Sequence, residues 1–210
     1  MELAPPFRRA LGGAVPVNIL VLGPQGAGKG TQAVRIAAEY GIPHVSTGDM
    51  FRSAIDERSD LGRQVEPILA AGELVPDELT VALIRERLAK DDAAAGFVLD
   101  GFPRNLAQAD ALDAMLAEIG RTLDAVLYFD LADDVATERM LGRARDEGRS
   151  DDTPEVIARR LAIYHAQTEP VVEHYRATGK LVPLHAERSV GVVFAEIQDA
   201  LQLLEAPASP

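Results

Sequence analysis

Cysteine and tryptophan are both absent from this 210-residue chain. Without cysteine there is no disulfide, no thiolate zinc site and no thiol nucleophile, and the lack fits a reducing compartment. Long apolar runs are missing too. No stretch approaches about eighteen apolar residues without a charge, and no apolar run of secretory-signal length follows Arg8 and Arg9. The expectation is a soluble, cytoplasmic protein with no membrane partner. Basic side chains are scarce, 21 against 33 acidic ones, for a net charge of −12. A duplex phosphate backbone calls for a basic face, so composition argues against nucleic acid as a partner. What is present is an apolar share of 47%, that of a packed globular domain. The length suits one good core and is short for two, and a monomer is expected. Any phosphate chemistry must come from a local cluster of Arg and Lys set against the charge of the whole.

Short, continuous apolar runs at 18–22, 97–99, 125–129 and 181–184 are bounded by Gly, Asp or Pro and read as strands buried on both faces. A fifth, shorter one is placed at His44-Val45-Ser46. Stretches of helical spacing lie between them, at 28–40, 48–58, 61–71, 77–90, 105–119, 133–143, 154–178 and 190–205. Alternation of strand and helix predicts an α/β fold with a parallel sheet covered on both sides. Gly41 with Pro43 just beyond reads as a helix end, and Thr153-Pro154 as a helix start. Residues 1–16 and 206–210 are rich in Pro, Gly and Ala and are expected to be a disordered N-terminal extension and a flexible tail.

The first apolar run leads into Gly23-Pro24-Gln25-Gly26-Ala27-Gly28-Lys29-Gly30-Thr31 and then a helical pattern. Strand, glycine-rich turn and helix stand in the order a phosphate cradle requires. The glycines admit close backbone approach, the amides and helix N-terminus face the anion, and Lys29 reaches the outer phosphates. The general motif has Ser or Thr directly after the Lys; here Gly30 intervenes and the hydroxyl is that of Thr31. A guanine-nucleotide switch would also want an Asn-Lys-x-Asp base reader, but the only asparagines are Asn18 and Asn105, and neither is followed by Lys.

Three further clusters follow: Ser46-Thr47-Gly48-Asp49-Met50-Phe51-Arg52, Gly72-Glu73-Leu74-Val75-Pro76-Asp77, and Gly96-Phe97-Val98-Leu99-Asp100-Gly101-Phe102-Pro103-Arg104. With the phosphate loop they resemble four successive motifs of the adenylate kinase family. Together with Gly148-Arg149-Ser150-Asp151-Asp152 and Arg160, the resemblance spans about residues 18–205. One motif alone would be weak; the ordered set is specific.

The resemblance implies a P-loop NTPase-like three-layer fold with a five-stranded parallel sheet of order 2-3-1-4-5. It implies one domain over 17–205, with an AMP-binding segment at about 46–75 and a short lid at about 142–153. The partners implied are ATP, AMP and ADP; the cofactor is Mg²⁺ with ATP, and no structural zinc is expected. On this pattern Gly26, Ala27, Gly28, Lys29, Gly30, Thr31, Arg139, Arg143 and Arg188 serve ATP. Thr47, Arg52, Glu73, Leu74, Val75, Gly101, Phe102, Pro103, Arg104, Gln108, Arg149 and Arg160 serve AMP. Lys29, Arg104, Arg143, Arg149 and Arg160 carry the transfer. Arginine suits the task because its planar, permanently charged fork grips phosphate oxygens by paired hydrogen bonds. Any one of these arginines alone is better explained by a solvated helix face; placed inside the matched motifs, the balance reverses. Asp100 is implied as a water-mediated Mg²⁺ anchor, although a strand-end Asp capping Gly101 reads equally well in isolation; Thr31 is a second metal candidate. Thr47 and Gln108 point to adenine as the acceptor base. A UMP/CMP or other nucleoside monophosphate kinase of the same fold and a nucleotide sensor that binds without transfer stand as alternatives. The four histidines read as structural or surface residues.

Overall fold

The computed structural model describes residues 17–147 and 152–205, so Arg149, residues 1–16 and residues 206–210 lie outside the described residues. Each expected strand is present: β1 (Val17–Leu22), β2 (His44–Ser46), β3 (Gly96–Asp100), β4 (Ala125–Asp130) and β5 (Leu181–His185). All pairs are parallel, in the order β2-β3-β1-β4-β5. The helices are α1 (Lys29–Tyr40), α2 (Thr47–Asp56), α3 (Asp60–Ala70), α4 (Asp77–Leu88), α5 (Leu106–Glu118), α6 (Asp133–Glu147), α7 (Pro154–Ile163), α8 (Glu169–Arg176) and α9 (Val190–Glu205). None is long and apolar enough to cross a membrane.

The pleat of β1 explains the three layers. Ile19 and Val21 pack on one side with Ile36, Met140 and Ile197 from α1, α6 and α9. Leu20 and Leu22 pack on the other with Ile84, Leu112 and Tyr175 from α4, α5 and α8. A third, small core of Phe51, Val65 and Val75 holds α2 and α3 together apart from the sheet. Both neighbours of β1 come later in the chain, so the strand order reverses there, and a crevice opens at the carboxyl ends of the strands. The glycine-rich turn leaves β1 into that crevice.

Caps fall where expected. Gly41 takes the left-handed conformation, φ 65°, and its N–H donates to Ala37 O; the Thr153 hydroxyl accepts from Val156 N. Two boundaries differ from the sequence reading. The span 154–178 is not one helix but α7 and α8 joined by a π-helical turn, Tyr164–Thr168, in which the Glu169 N–H donates to Tyr164 O. Pro170 is the cause: it has no N–H and its ring would meet the carbonyl four residues back. Helix α6 continues four residues past 143, since Ala144, Arg145, Asp146 and Glu147 include good helix formers and no breaker. The first part of the expected lid loop is therefore helical.

Gly62 fixes the angle between α2 and α3. A Cβ there would lie 2.0 Å from the Ala54 carbonyl oxygen. In an open helix Gly→Ala stabilises by about 1 kcal/mol; here the clash reverses the sign. Gly62→Ala is expected to lower unfolding stability by roughly 1–3 kcal/mol in a denaturant titration, and an unchanged midpoint would disprove the close packing.

Candidate active site

The crevice is a cavity of about 600 Å³ at the carboxyl ends of β1, β2 and β3. Three segments close it: the phosphate loop, the α2–α3 unit with the turn after it, and the face of α6, α7 and the π turn. Gly26 (φ 83°) and Gly28 (φ 81°) hold loop conformations that side chains disfavour. Gly26 also packs so closely on the Ala136 carbonyl that a Cβ would sit 2.7 Å away.

Lys29 opens α1, and its Nζ folds back to donate to the carbonyls of Gly23 and Pro24, each at 2.7 Å. Burial lowers its pKa to about 8; Asp100 opposes the shift, and Arg104 and Arg143 add to it. Asp100, at the end of β3, lies against Gly30, whose imagined Cβ would be 3.5 Å from Oδ2. Burial pushes the Asp100 carboxyl up, but His44, Lys29 and Arg104 outweigh it and hold it below the usual carboxylate value. The His44 ring stands 3.5 Å away, Nε2 to Oδ2. A buried, ionised oxygen donor beside the phosphate loop fits Mg²⁺, which takes one or two carboxylates and otherwise keeps water and substrate oxygens. Among the described residues no larger group of His, Asp and Glu gathers into a metal cage.

Arg104 is braced on every side. Its backbone N–H donates to Gln108 Oε1 at 2.8 Å, its carbonyl accepts from the Thr168 hydroxyl at 2.8 Å, and its Nε donates to Gly101 O at 2.8 Å. Burial lowers its pKa from the ordinary arginine value, Asp100 counteracts, and Arg160 and Arg52 add repulsion. Arg143 and Arg160 converge on one carboxylate: Asp152 Oδ2 accepts from Arg143 Nε and Nη2 at 2.9 and 2.8 Å, and Oδ1 from Arg160 Nη1 at 2.7 Å. The Asp152 side chain is 0% exposed, so without cationic partners its charge would be strongly destabilising. Arg52 pairs with Asp49 at the cleft mouth. This is a ring of cations held apart by carboxylates, in a protein of net charge −12.

Of the expected residues, Gly26, Gly28, Lys29, Gly30, Thr31, Arg52, Glu73, Asp100, Gly101, Pro103, Arg104, Arg139, Arg143 and Arg160 line the cavity together. Ala27 and Phe102 belong to the apolar cores instead, and Leu74 and Val75 do not line it. Thr47 is buried beneath it, with its hydroxyl 3.5 Å from Asp100 O. Gln108 is also buried, 2% exposed, and its Nε2 donates to Asp77 Oδ1 at 2.6 Å. Arg139 donates to the carbonyls of Ala186 and Glu187 at 2.9 and 3.3 Å, pinning the turn between β5 and α9. Arg188 is not in this cleft: it pairs with Glu196 and lines a second cavity of about 480 Å³ beside Asp130 and His185. Sequence reasoning gave no role to Gln25, Asp152, Tyr164 or Thr168, all of which line the cleft or hold its arginines. Asp152 and Gln25 had a signal, their places in the Arg149 cluster and in the phosphate loop; Tyr164 and Thr168 had none.

Comparison with known proteins points to one family. The adenylate kinase family model matches residues 21–180. The chain is 44% identical over 186 residues to the adenylate kinase of Stenotrophomonas maltophilia strain R551-3, covering 89% of this chain and 100% of the relative. It is 44% identical over 185 residues to that of Xanthomonas campestris pv. campestris strain 8004, covering 88% and 99%. To that of Syntrophomonas wolfei subsp. wolfei it is 40% identical over 215 residues, covering 90% and 100%.

Proposed function

The chain belongs to the adenylate kinase family and has adenylate kinase function, and from that premise we propose that it catalyses ATP + AMP ⇌ 2 ADP by direct in-line phosphoryl transfer, with the residue roles that follow. The observation that carries this reading is the convergence of Lys29, Arg52, Arg104, Arg143 and Arg160 on one cleft of about 600 Å³. Transfer between two polyanions needs positioning and charge stabilisation more than covalent chemistry. The phosphate loop and Lys29 take the ATP phosphates, and Arg52 and Arg104 take the AMP phosphate. Arg143 and Arg160 exchange part of their hold on Asp152 for the transferred group, with Arg149 joining them. Asp152 keeps the two guanidiniums aimed into the cleft while no nucleotide is there, which removes the cost of ordering them later. Asp100 holds Mg²⁺ through its waters, with Thr31 the second candidate. Held there with ATP, the metal would supply positive charge that offsets the charge of the phosphates during transfer.

The segment 46–75 is the AMP-binding piece and 142–153 the lid, within a single domain over 17–205. Thr47 and Gln108 favour adenine as the acceptor base. Gln108 also acts as a brace, because its amide joins the Arg104 backbone to Asp77. Arg139 stacks on the ATP base at the turn it already pins, and Arg188, whose side chain lies outside the cleft, contributes from the same turn through its backbone only. The protein works as a cytoplasmic monomer whose partners are nucleotides. Side-by-side turnover with AMP, CMP, UMP and GMP tests the acceptor. AMP is expected to lead in kcat/KM by about 100-fold or more, since a site built to hydrogen-bond one base edge rejects the others strongly. Equal or better turnover of CMP or UMP would overturn the adenine assignment.

A further inference from the structure

Gln25, third in the phosphate loop, lines the cleft, yet its Oε1 is shielded from solvent and meets no hydrogen-bond donor. Buried amide oxygens are rarely left this way, because the group has given up water and received nothing. Its neighbours supply no side-chain donor: Pro24 precedes it and Gly26 follows. The Lys29 ammonium, which reaches for the β- and γ-phosphates of a bound triphosphate, rests 2.7 Å from the Pro24 carbonyl, one residue from Gln25. The amide therefore stands at the terminal-phosphate end of the loop. An amide is the right group for that place, since its NH₂ donates to a phosphoryl oxygen while its C=O accepts from a guanidinium.

We propose that Gln25 is a substrate-contacting residue of the transfer reaction: its Nε2 donates to the terminal phosphoryl oxygens, and its Oε1 accepts an N–H from an arginine closing on the same group. This rests on the cleft reading given under the proposed function. The test is steady-state kinetics of Gln25→Leu and Gln25→Met with ATP and AMP, together with their nucleotide-free melting temperatures. Leucine and methionine keep bulk and remove both polar atoms. The expected result is a kcat about 10- to 100-fold lower, the size of a lost transition-state donor. KM for AMP should stay within about twofold, and the melting temperature should be unchanged or higher, because the deleted amide had no partner to lose. Gln25→Glu, which sets a carboxylate against the phosphates, should lose at least as much kcat and raise KM for ATP. A kcat within about twofold of wild type in both apolar variants overturns the proposal. So does a kcat loss accompanied by a falling melting temperature, which would assign Gln25 to loop packing. Lys29→Met in the same assay separates the two readings. If it is inactive while the Gln25 variants are normal, only the present inference fails; if it too is normal, the cleft reading falls with it.

Discussion

Lys29→Met is expected to fold and bind nucleotide weakly while losing kcat by on the order of 10³-fold, the range seen when a fixed cation is removed from a phosphoryl-transfer site. The Lys29 ammonium is folded onto the Gly23 and Pro24 carbonyls, and burial has lowered its pKa to about 8 from 10.5. Those carbonyls are neutral dipoles and a polyphosphate is a better partner, so the ammonium is expected to turn outward when ATP binds. Two pH effects follow. For the nucleotide-free protein, the unfolded chain holds the Lys29 proton up to about pH 10.5 and the folded chain releases it near 8. Stability contributed at this position therefore rises with pH across that window. The melting temperature of wild type should climb relative to that of Lys29→Met between pH 8 and 10. For ATP binding the sign is opposite. The charged form is the one that binds, so affinity falls above pH 8, by at most tenfold per pH unit. Lys29→Met should show neither slope. A variant keeping more than about a tenth of wild-type kcat would remove the lysine from the transfer step.

The same loop shows how far the sequence alone could be read. Strand, glycine turn, Lys and helix are consecutive, and each step is a local preference: apolar residues in β1, positive φ at Gly26 and Gly28, helix from Lys29 onward. Local order of that kind is legible without a structure. The strand order β2-β3-β1-β4-β5 is not local, and came only with the family resemblance. The break between α7 and α8 is not legible in sequence, because the apolar spacing of Ile157, Leu161 and Tyr164 continues into Val171, Val172 and Tyr175 while the backbone shifts register ahead of Pro170. Asp152 was seen as one of a motif's charges. Its role depends on full burial between guanidiniums from α6 and α7, and burial of a single Asp has no signature in sequence. Thr168 looks like any helical threonine until the π turn sets its hydroxyl on Arg104 O. The resemblance puts Arg139 on the ATP side; the structure adds the carbonyls of Ala186 and Glu187, some 47 residues onward, that hold it. What the sequence hides is contact between elements: Thr168 meets Arg104 64 residues away, while Asp152 lies only eight or nine residues from its partners and meets them through the packing of α6 and α7.

Arg104→Lys keeps the charge and should still be nearly as damaging as Arg104→Ala, a loss in kcat of on the order of 10²- to 10³-fold in each case. Three contacts from different parts of the chain fix this residue: Gln108 on its N–H, Thr168 on its carbonyl and Gly101 on its Nε. Among the described residues its two Nη groups make no hydrogen bond, so both remain for phosphate. Gly101 admits this approach, since a Cβ there would come within 2.6 Å of the Thr47 hydroxyl and 3.3 Å of Arg104 Nη2. A lysine keeps the N–H and carbonyl contacts of the backbone but has no Nε to anchor on Gly101. It also offers a single ammonium, free to rotate and strongly hydrated, where a planar fork was held in place. Charge near the phosphates would be retained, so KM for AMP should rise less in the lysine variant than in the alanine one, while kcat falls to a similar level in both. That split separates attraction from alignment. If Arg104→Lys keeps kcat within about fivefold of wild type while Arg104→Ala loses the expected 10²-fold or more, then charge alone suffices at this position and the bracing by Gln108, Thr168 and Gly101 is not what the reaction uses.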